Sequence, residues 1–501
     1  MANPEHVERV KDPSWNSWRS QIAGMVPDLT DTDLSGLDLS GRDLSTADLS
    51  RTKLDGTNLD GANLGRAILR GASFKGASLN RADLRDCDLE FLVLDGVPMV
   101  GASMKNASLK NASIKGSDLT ACDLTGAKLE SGEFAGTVFS FGRLLYTNFR
   151  GVGIAGCRFE ECDLTQAIFD GVVYKAGCFD KAVLRMAFFR ESNLAGTSFK
   201  GAKLLKTVFK GANVTGCDFT GADLTEADLE RAAGNGCVFS DAVMRKTAAI
   251  KADLRKSVFL GASLDEADFT TAILDKLDLR TPKLKMTNFT GARLQGATGI
   301  SANLRGCNFT EADLSAADLS EANLEGVILP RAKLAGAVLR RANLKRARLT
   351  GVSAPGADLS GTNLIGADCE DADFSACDLR FSRAIGATLL GASLRNTAIS
   401  HADFSEAKMG GTSFVGAKGT GAKFTGQLHL RLVLAASAFF DKGKGKVEKV
   451  EDRRELERQA RIASLEKGAA DRDRSVAGRG PTAREEGVDE TRGRRRGGDQ
   501  G

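Results

Sequence analysis

Leu34, Leu39, Leu44 and Leu49 stand five residues apart in the segment LSGLDLSGRDLSTADLS, residues 34–50. Five matches neither the 3.6-residue period of a helix nor the two-residue period of a strand. From Leu34 to Phe424 this column has 79 members, of which 72 are Leu, Ile, Val, Met, Phe or Tyr. The exceptions are Gly234, Ala249, Gly299, Ala354, Cys369, Ala384 and Gly419. A second column, two residues earlier in each unit, runs from Thr32 to Ala422 and is Ala, Ser, Thr, Cys or Gly at all but ten positions. The phase never slips over about 390 residues, which a chain with ordinary loops could not keep. The pattern predicts a solenoid. Each five-residue unit sends one large and one small side chain inward, leaves three residues to water, and turns a corner where Gly, Ser and Asp cluster.

The segment ADLSAADLSEANLEG (312–326) carries the unit most plainly. It resembles the pentapeptide-repeat family, whose motif is A(D/N)LXX, and the resemblance spans about four-fifths of the chain. The resemblance implies an all-β solenoid: a right-handed quadrilateral parallel β-helix in which four repeats close a coil of twenty residues. The charges support twenty independently. Every twentieth residue from Arg70 reads Arg70, Glu90, Lys110, Glu130, Arg150, Asp170, Arg190, Lys210, Glu230, alternating in sign with one lapse at Arg190 and Lys210. A further column reads Lys206, Glu226, Lys246, Glu266, and Glu311, Asp313, Glu321 and Glu325 are followed twenty residues later by Arg331, Lys333, Arg341 and Lys345. Such pairs fit coils stacked at strand spacing. Phe139, Phe159, Phe179, Phe199, Phe219, Phe239 and Phe259 form one line of rings, and Phe149, Phe169, Phe189 and Phe209 another on the opposite side. The two lines are expected to face each other inside.

Seventy-nine repeats predict about 20 coils and a length of about 95 Å. Residues 1–27, which hold Trp15 and Trp18, are read as an N-terminal cap, partly helical and broken by Pro13. Residues 28–426 are the repeat body. Residues 427–467 lose the phase and are read as a C-terminal cap, or homodimer contact, followed by a charged helix; residues 468–501 are expected to be disordered.

The 501-residue chain carries a net charge of +4, all of it beyond residue 424; residues 1–424 hold 51 cations and 51 anions. A neutral body argues against nucleic acid or an anionic membrane as the partner of the rod. No membrane span and no secretory signal are visible, which predicts a cytoplasmic protein. Of ten cysteines, Cys87, Cys122, Cys157, Cys162, Cys217, Cys237, Cys307 and Cys377 fall in the small inward column. They are expected to be packing thiols, not disulfides or metal ligands. GVGIAG (151–156) matches GxGxxG, but Ile154 is in phase as an inward residue, so no dinucleotide site is expected. The three histidines, His6, His401 and His429, are scattered. Asp33, Asp38, Asp43 and Asp48 are expected to bond backbone N–H groups at the corners. A rod filled by its own side chains should leave no substrate pocket. No catalytic residue, cofactor or metal is assigned, and no binding face is singled out. RAKLAGAVLRRANLKRAR (331–348) has seven cations, of which Arg340, Arg346 and Arg348 lack an acid twenty residues earlier.

These readings point to a non-enzymatic protein-interaction scaffold. One alternative, implied by the resemblance, is a DNA mimic that binds a type II topoisomerase such as gyrase. The other is an accessory or cargo protein of a bacterial secretion or envelope system.

Overall fold

The backbone of residues Ala47 to Arg51 shows why the chain coils as it does. Ala47 N–H donates to Leu44 O (3.1 Å), closing a turn within the coil. Asp48 N–H donates down to Pro27 O (2.8 Å), while Leu49 and Arg51 donate up to Ile68 O (2.8 Å) and Arg70 O (2.9 Å). The remaining donor, Ser50 N–H, is taken by the side chain of Asp48 (2.9 Å). All five donors are satisfied, three of them by neighbouring coils. The computed structural model describes residues 2–22 and 24–425, and from residue 28 onward this unit repeats.

Parallel bridges join residues twenty apart, from Asp28 with Asp48 to Asp403 with Lys423. The body is therefore a β-solenoid with twenty residues per coil. Each side of the coil contributes a single bridged residue between turns, not an extended strand. Five residues per side leave no room for more, since two are consumed by the corner.

The corner has a fixed geometry. The second residue after each large inward side chain has a positive φ at every fifth position from Asp31 to Gly421, with Thr281 the sole exception among them. With the bond from the following small residue back to the large one, this is a type II turn, whose third residue must be left-handed. Glycine fills many of these positions; Arg51, Lys206 and Phe381 are among the side chains that adopt the conformation. Pro330 and Pro355 sit one residue earlier, where a φ near −65° suits the same turn. Pro282 follows Thr281 and has no N–H to close its turn, which accounts for the irregular corner there.

Inside, the two predicted lines of phenylalanines are present. Phe139 stacks on Phe159 (5.0 Å) and Phe149 on Phe169 (4.5 Å), and rings of opposite lines meet edge to face, as Phe149 and Phe159 do at 5.6 Å. The small column is also used chemically. Thr207 Oγ1 donates to Leu184 O (2.7 Å) and Cys217 Sγ to Leu194 O (3.0 Å), each 23 residues back. Threonine and cysteine are interchangeable there because both fit and both donate to the same carbonyl.

Before the first coil lie α1 (Pro4–Lys11) and α2 (Trp15–Gln21). Val10 and Trp15 are fully buried. The two helices also bond the edge that no earlier coil can pair. His6 Nδ1 accepts from Asp28 N–H (3.0 Å), Asn16 Oδ1 accepts from Asp43 N–H (2.7 Å), and Trp15 Nε1 donates to Asp43 O (2.8 Å). Arg19 donates to Ser45 O (2.9 Å). The expected C-terminal cap and tail, 427–467 and 468–501, lie outside the described residues.

Candidate interaction surface

The outward side chains divide into those that serve the coil and those that do not. Bridge-position aspartates and asparagines serve it. Asp33, Asp38, Asp43 and Asp48 each accept the N–H two residues on, at 2.9–3.2 Å. At some bridge positions without Asp or Asn, an acid one coil below substitutes. Lys75 N–H goes to Asp55 (2.9 Å), Lys115 N–H to Asp95 (2.8 Å) and Lys200 N–H to Asp180 (3.0 Å), the bridge residues there being Ser73, Ser113 and Ser198. The Ser35 hydroxyl and N–H hold the Asp33 carboxyl below the usual range. These aspartates are turn components and offer no acid–base pair.

The charge ladder forms in part. Arg150 reaches Asp170 (2.6 Å), Arg190 shares it (3.3 Å), and Lys210 meets Glu230 (2.6 Å). Lys206 with Glu226, Lys246 with Glu266, Arg331 with Glu311 and Arg341 with Glu321 also pair. Arg70 with Glu90 and Lys110 with Glu130 do not: Glu90 instead accepts from Ser108 Oγ (2.6 Å). Asp313 is engaged by Gln295 (2.8 Å) rather than Lys333. Other pairs escape a twenty-residue reading altogether. Arg85, Arg280 and Arg380 fold back onto Asp83, Asp278 and Asp378 two residues away, and Lys200 and Arg340 reach Asp218 and Asp358 eighteen ahead. Arg340 is thereby explained. A long side chain at a corner spans diagonally as easily as straight up.

The cysteines are all free, and eight of the nine that are buried are those assigned to the small column. Burial pushes the Cys87, Cys157 and Cys217 thiols up to about 12. Ile154 of GVGIAG is buried, and Gly151 and Gly156 hold left-handed corners. Among the described residues no group of His, Cys, Asp or Glu could hold a metal ion, and no helix is long and apolar enough to cross a membrane.

The expectation of a surface without recesses is corrected. Glycines at left-handed corners leave notches beside long neighbours. One open groove, of about 640 Å³, lies along Glu321, Arg341, Gly361 and Phe381. Another, of about 380 Å³, lies between Arg185, Gly201, Lys203, Leu205 and Gly221. Ser320 and Ser360 also line the first groove; the Ser320 hydroxyl donates to Asp318 (2.6 Å), and neither serine bonds Glu321.

One outward feature is an apolar run whose three members are half-buried. Ile168, Phe188 and Val208 occupy consecutive bridge positions on one face. Elsewhere among the described residues the longest such run of bulky apolar bridge residues is two, Val238 and Val258. Tyr146 (56% exposed) and Met186 (42% exposed) stand on the adjoining corner, and the Arg190 guanidinium lies over the Phe188 ring at 4.5 Å. Reading every twentieth residue from Asn148 would have found this run; attention to the inward columns and the charges passed it by.

The geometry defines a repeat protein of the β-solenoid class with a closed apolar interior and a variable exterior. A family model for pentapeptide repeats, in eight copies, matches successive stretches from 28–66 through 205–241 and 317–353 to 399–426. The chain belongs to the pentapeptide-repeat family. Among solved structures it is similar to HetL, involved in heterocyst differentiation regulation in the cyanobacterium Nostoc sp. strain PCC 7120, at 24% identity over 52% of this chain and 95% of that one, with a TM-score of 0.22. It is also similar to QnrB1, a plasmid-mediated fluoroquinolone resistance protein, at 17% identity over 48% and 89% with a TM-score of 0.23. A thylakoid-lumen protein of Arabidopsis thaliana matches at 23% identity over 32% and 82%, with a TM-score of 0.13. No functionally curated protein matches.

Proposed function

We propose that this protein is a non-enzymatic scaffold that binds a protein partner through the outer faces of its coils. The observation that supports the reading is the division of labour among side chains. The inward columns are filled by Leu, Phe, Ala, Thr and Cys, and the bridge aspartates are spent on turn N–H groups, so neither is free for chemistry. What varies from coil to coil is the outer surface, which is where solenoids bind. The chain folds a long, regular surface at little cost in sequence complexity, and a partner can be held across several coils.

Affinity capture with the full chain, followed by cross-linking of the captured protein to identified coils, tests the proposal. A stoichiometric protein cross-linked to outward residues is expected. Turnover of a substrate that disappears on one outward substitution would overturn it. A supercoiling assay with gyrase separates the scaffold from a DNA mimic: the body balances its charges, so no inhibition or protection at micromolar concentration is expected.

A further inference from the structure

We infer that the face carrying Ile168, Phe188 and Val208 is the docking surface, and that its occupant is an acidic protein segment bearing large apolar side chains. The inference rests on the scaffold reading and names the place and the chemistry of the partner.

The first argument is what the solenoid gives up there. The commonest bridge residues, Asp and Asn, satisfy the corner N–H two residues on, a bond worth about 1 kcal/mol. Three consecutive coils carry half-buried Ile, Phe and Val on this face instead, and at Phe188 the corner N–H, that of Arg190, is taken by Asp170 of the coil below (2.9 Å). A sustained departure from a local preference is expected where function constrains the residue. Met186 at the adjoining corner takes a left-handed conformation, φ 56°, as Arg51, Lys206 and the other non-glycine corners do, and glycine would adopt it without strain.

Charge supplies the second argument. The two corners that flank this face, 145–146 and 150–151 and their counterparts in the next three coils, hold Arg150, Arg185, Arg190, Lys206 and Lys210 against Asp170 and Glu191. This is where the alternating ladder lapses. Lys206 and Lys210 pair with Glu226 and Glu230 of the next coil, and Arg143 with Asp123 of the previous one. Asp170 is shared by two guanidiniums. Arg185 and Lys203 form no ion pair among the described residues, and both line the groove of about 380 Å³ that opens beside Leu205. Asp223, also in that groove, is engaged by Thr225 N–H (3.0 Å) and Oγ1 (2.6 Å). A partner that wraps this corner can place a carboxylate between Arg185 and Lys203 on the adjoining side while an apolar side chain covers Met186 and Phe188.

The flanks decide the class of occupant. The next coil presents Glu226, Asp228 and Glu230 on this face and its corners. A continuous polyanion or an anionic bilayer would extend over those acids and be repelled. A short segment ends before them. Four coils at strand spacing are about 14 Å long, which matches about ten residues of helix.

The test uses the full chain and a fluorescent peptide of about twenty residues, rich in Glu and Asp, with Leu and Phe on one helical face. Phe188→Asn restores the residue the repeat normally carries, and Met186→Gly relieves a strained corner, so both variants keep the coil. Salt-sensitive binding is expected, weakened about tenfold by either variant and by Arg185→Glu with Lys203→Glu. It should be unchanged by Val258→Asn on another face and weaker for a Glu peptide without apolar residues. Equal binding to wild type and Phe188→Asn, no peptide binding, or tighter binding to anionic phospholipid vesicles or duplex DNA would each overturn the inference. A captured partner whose cross-linking is insensitive to Phe188→Asn would remove this face and leave the scaffold reading standing.

Discussion

At the scale of single residues, the repeat is a solution to one hydrogen-bonding problem. Four of the five backbone donors per unit find backbone acceptors, and the fifth needs a side chain. That need explains why Asp and Asn are the commonest residues before the large inward one. Asp48→Ala should cost about 1 kcal/mol and Asp48→Asn much less, read as a shift in the urea midpoint. Equal losses for both would mean that charge, not acceptance, is what matters. The left-handed corner makes the opposite kind of prediction. Ala121 has φ 59° and a side chain too small to pair with anything above or below. Ala121→Gly should stabilise the fold by about 0.5–1 kcal/mol, although the same substitution mid-strand or mid-helix destabilises. A lower midpoint would contradict the turn assignment.

At the scale of the coil, inward residues must be read in pairs. Tyr174 replaces the usual Leu or Phe, and its hydroxyl donates to Cys157 O and accepts from Cys178 N–H (2.9 Å). The ring fits only because residue 177 is glycine: a Cβ there would meet Tyr174 ring atoms at 2.0–2.5 Å. Gly177→Ala should therefore cost at least about 2 kcal/mol, and Tyr174→Leu should rescue it, since Leu with Ala is the ordinary content of the repeat. A double-mutant cycle with no coupling would show that the clash is relieved elsewhere. Gly234 and Gly299 fit the same logic, with Leu254 and Leu319 closing the space a larger residue would take.

For the whole solenoid, pH sets limits through the buried thiols. Cys87, Cys157, Cys162, Cys217, Cys307 and Cys377 are held protonated up to about 12 by burial, against an ordinary value of 9.0. Above 9 the unfolded chain releases these protons and the folded one keeps them, so stability falls as pH rises through that window. The slope is about 1.4 kcal/mol per pH unit per thiol. Denaturant midpoints should drop steeply from pH about 9 toward 12, and Cys217→Thr, which can keep a donor to Leu194 O, should lessen the drop. Flat midpoints across that range would refute the account. At the acid end, Asp253 and Asp378, held low by Arg255 and Arg380, contribute stability above about pH 4 that is lost as pH falls further.

The periods of five and twenty, the two inward columns, the phenylalanine lines and the role of the thiols were legible in the sequence alone. The reason is that each depends only on which residue type recurs at which phase, and hydrophobic burial enforces that phase at every turn. Tertiary structure decided the rest. Whether Asp313 meets Lys333 or Gln295, whether Arg380 reaches up a coil or back to Asp378, and where glycine corners open grooves all depend on how far a side chain reaches across columns. A repeat period carries no information about reach. Nor does it say that His6, Trp15 and Asn16, outside any repeat, supply the partners that the first coil lacks.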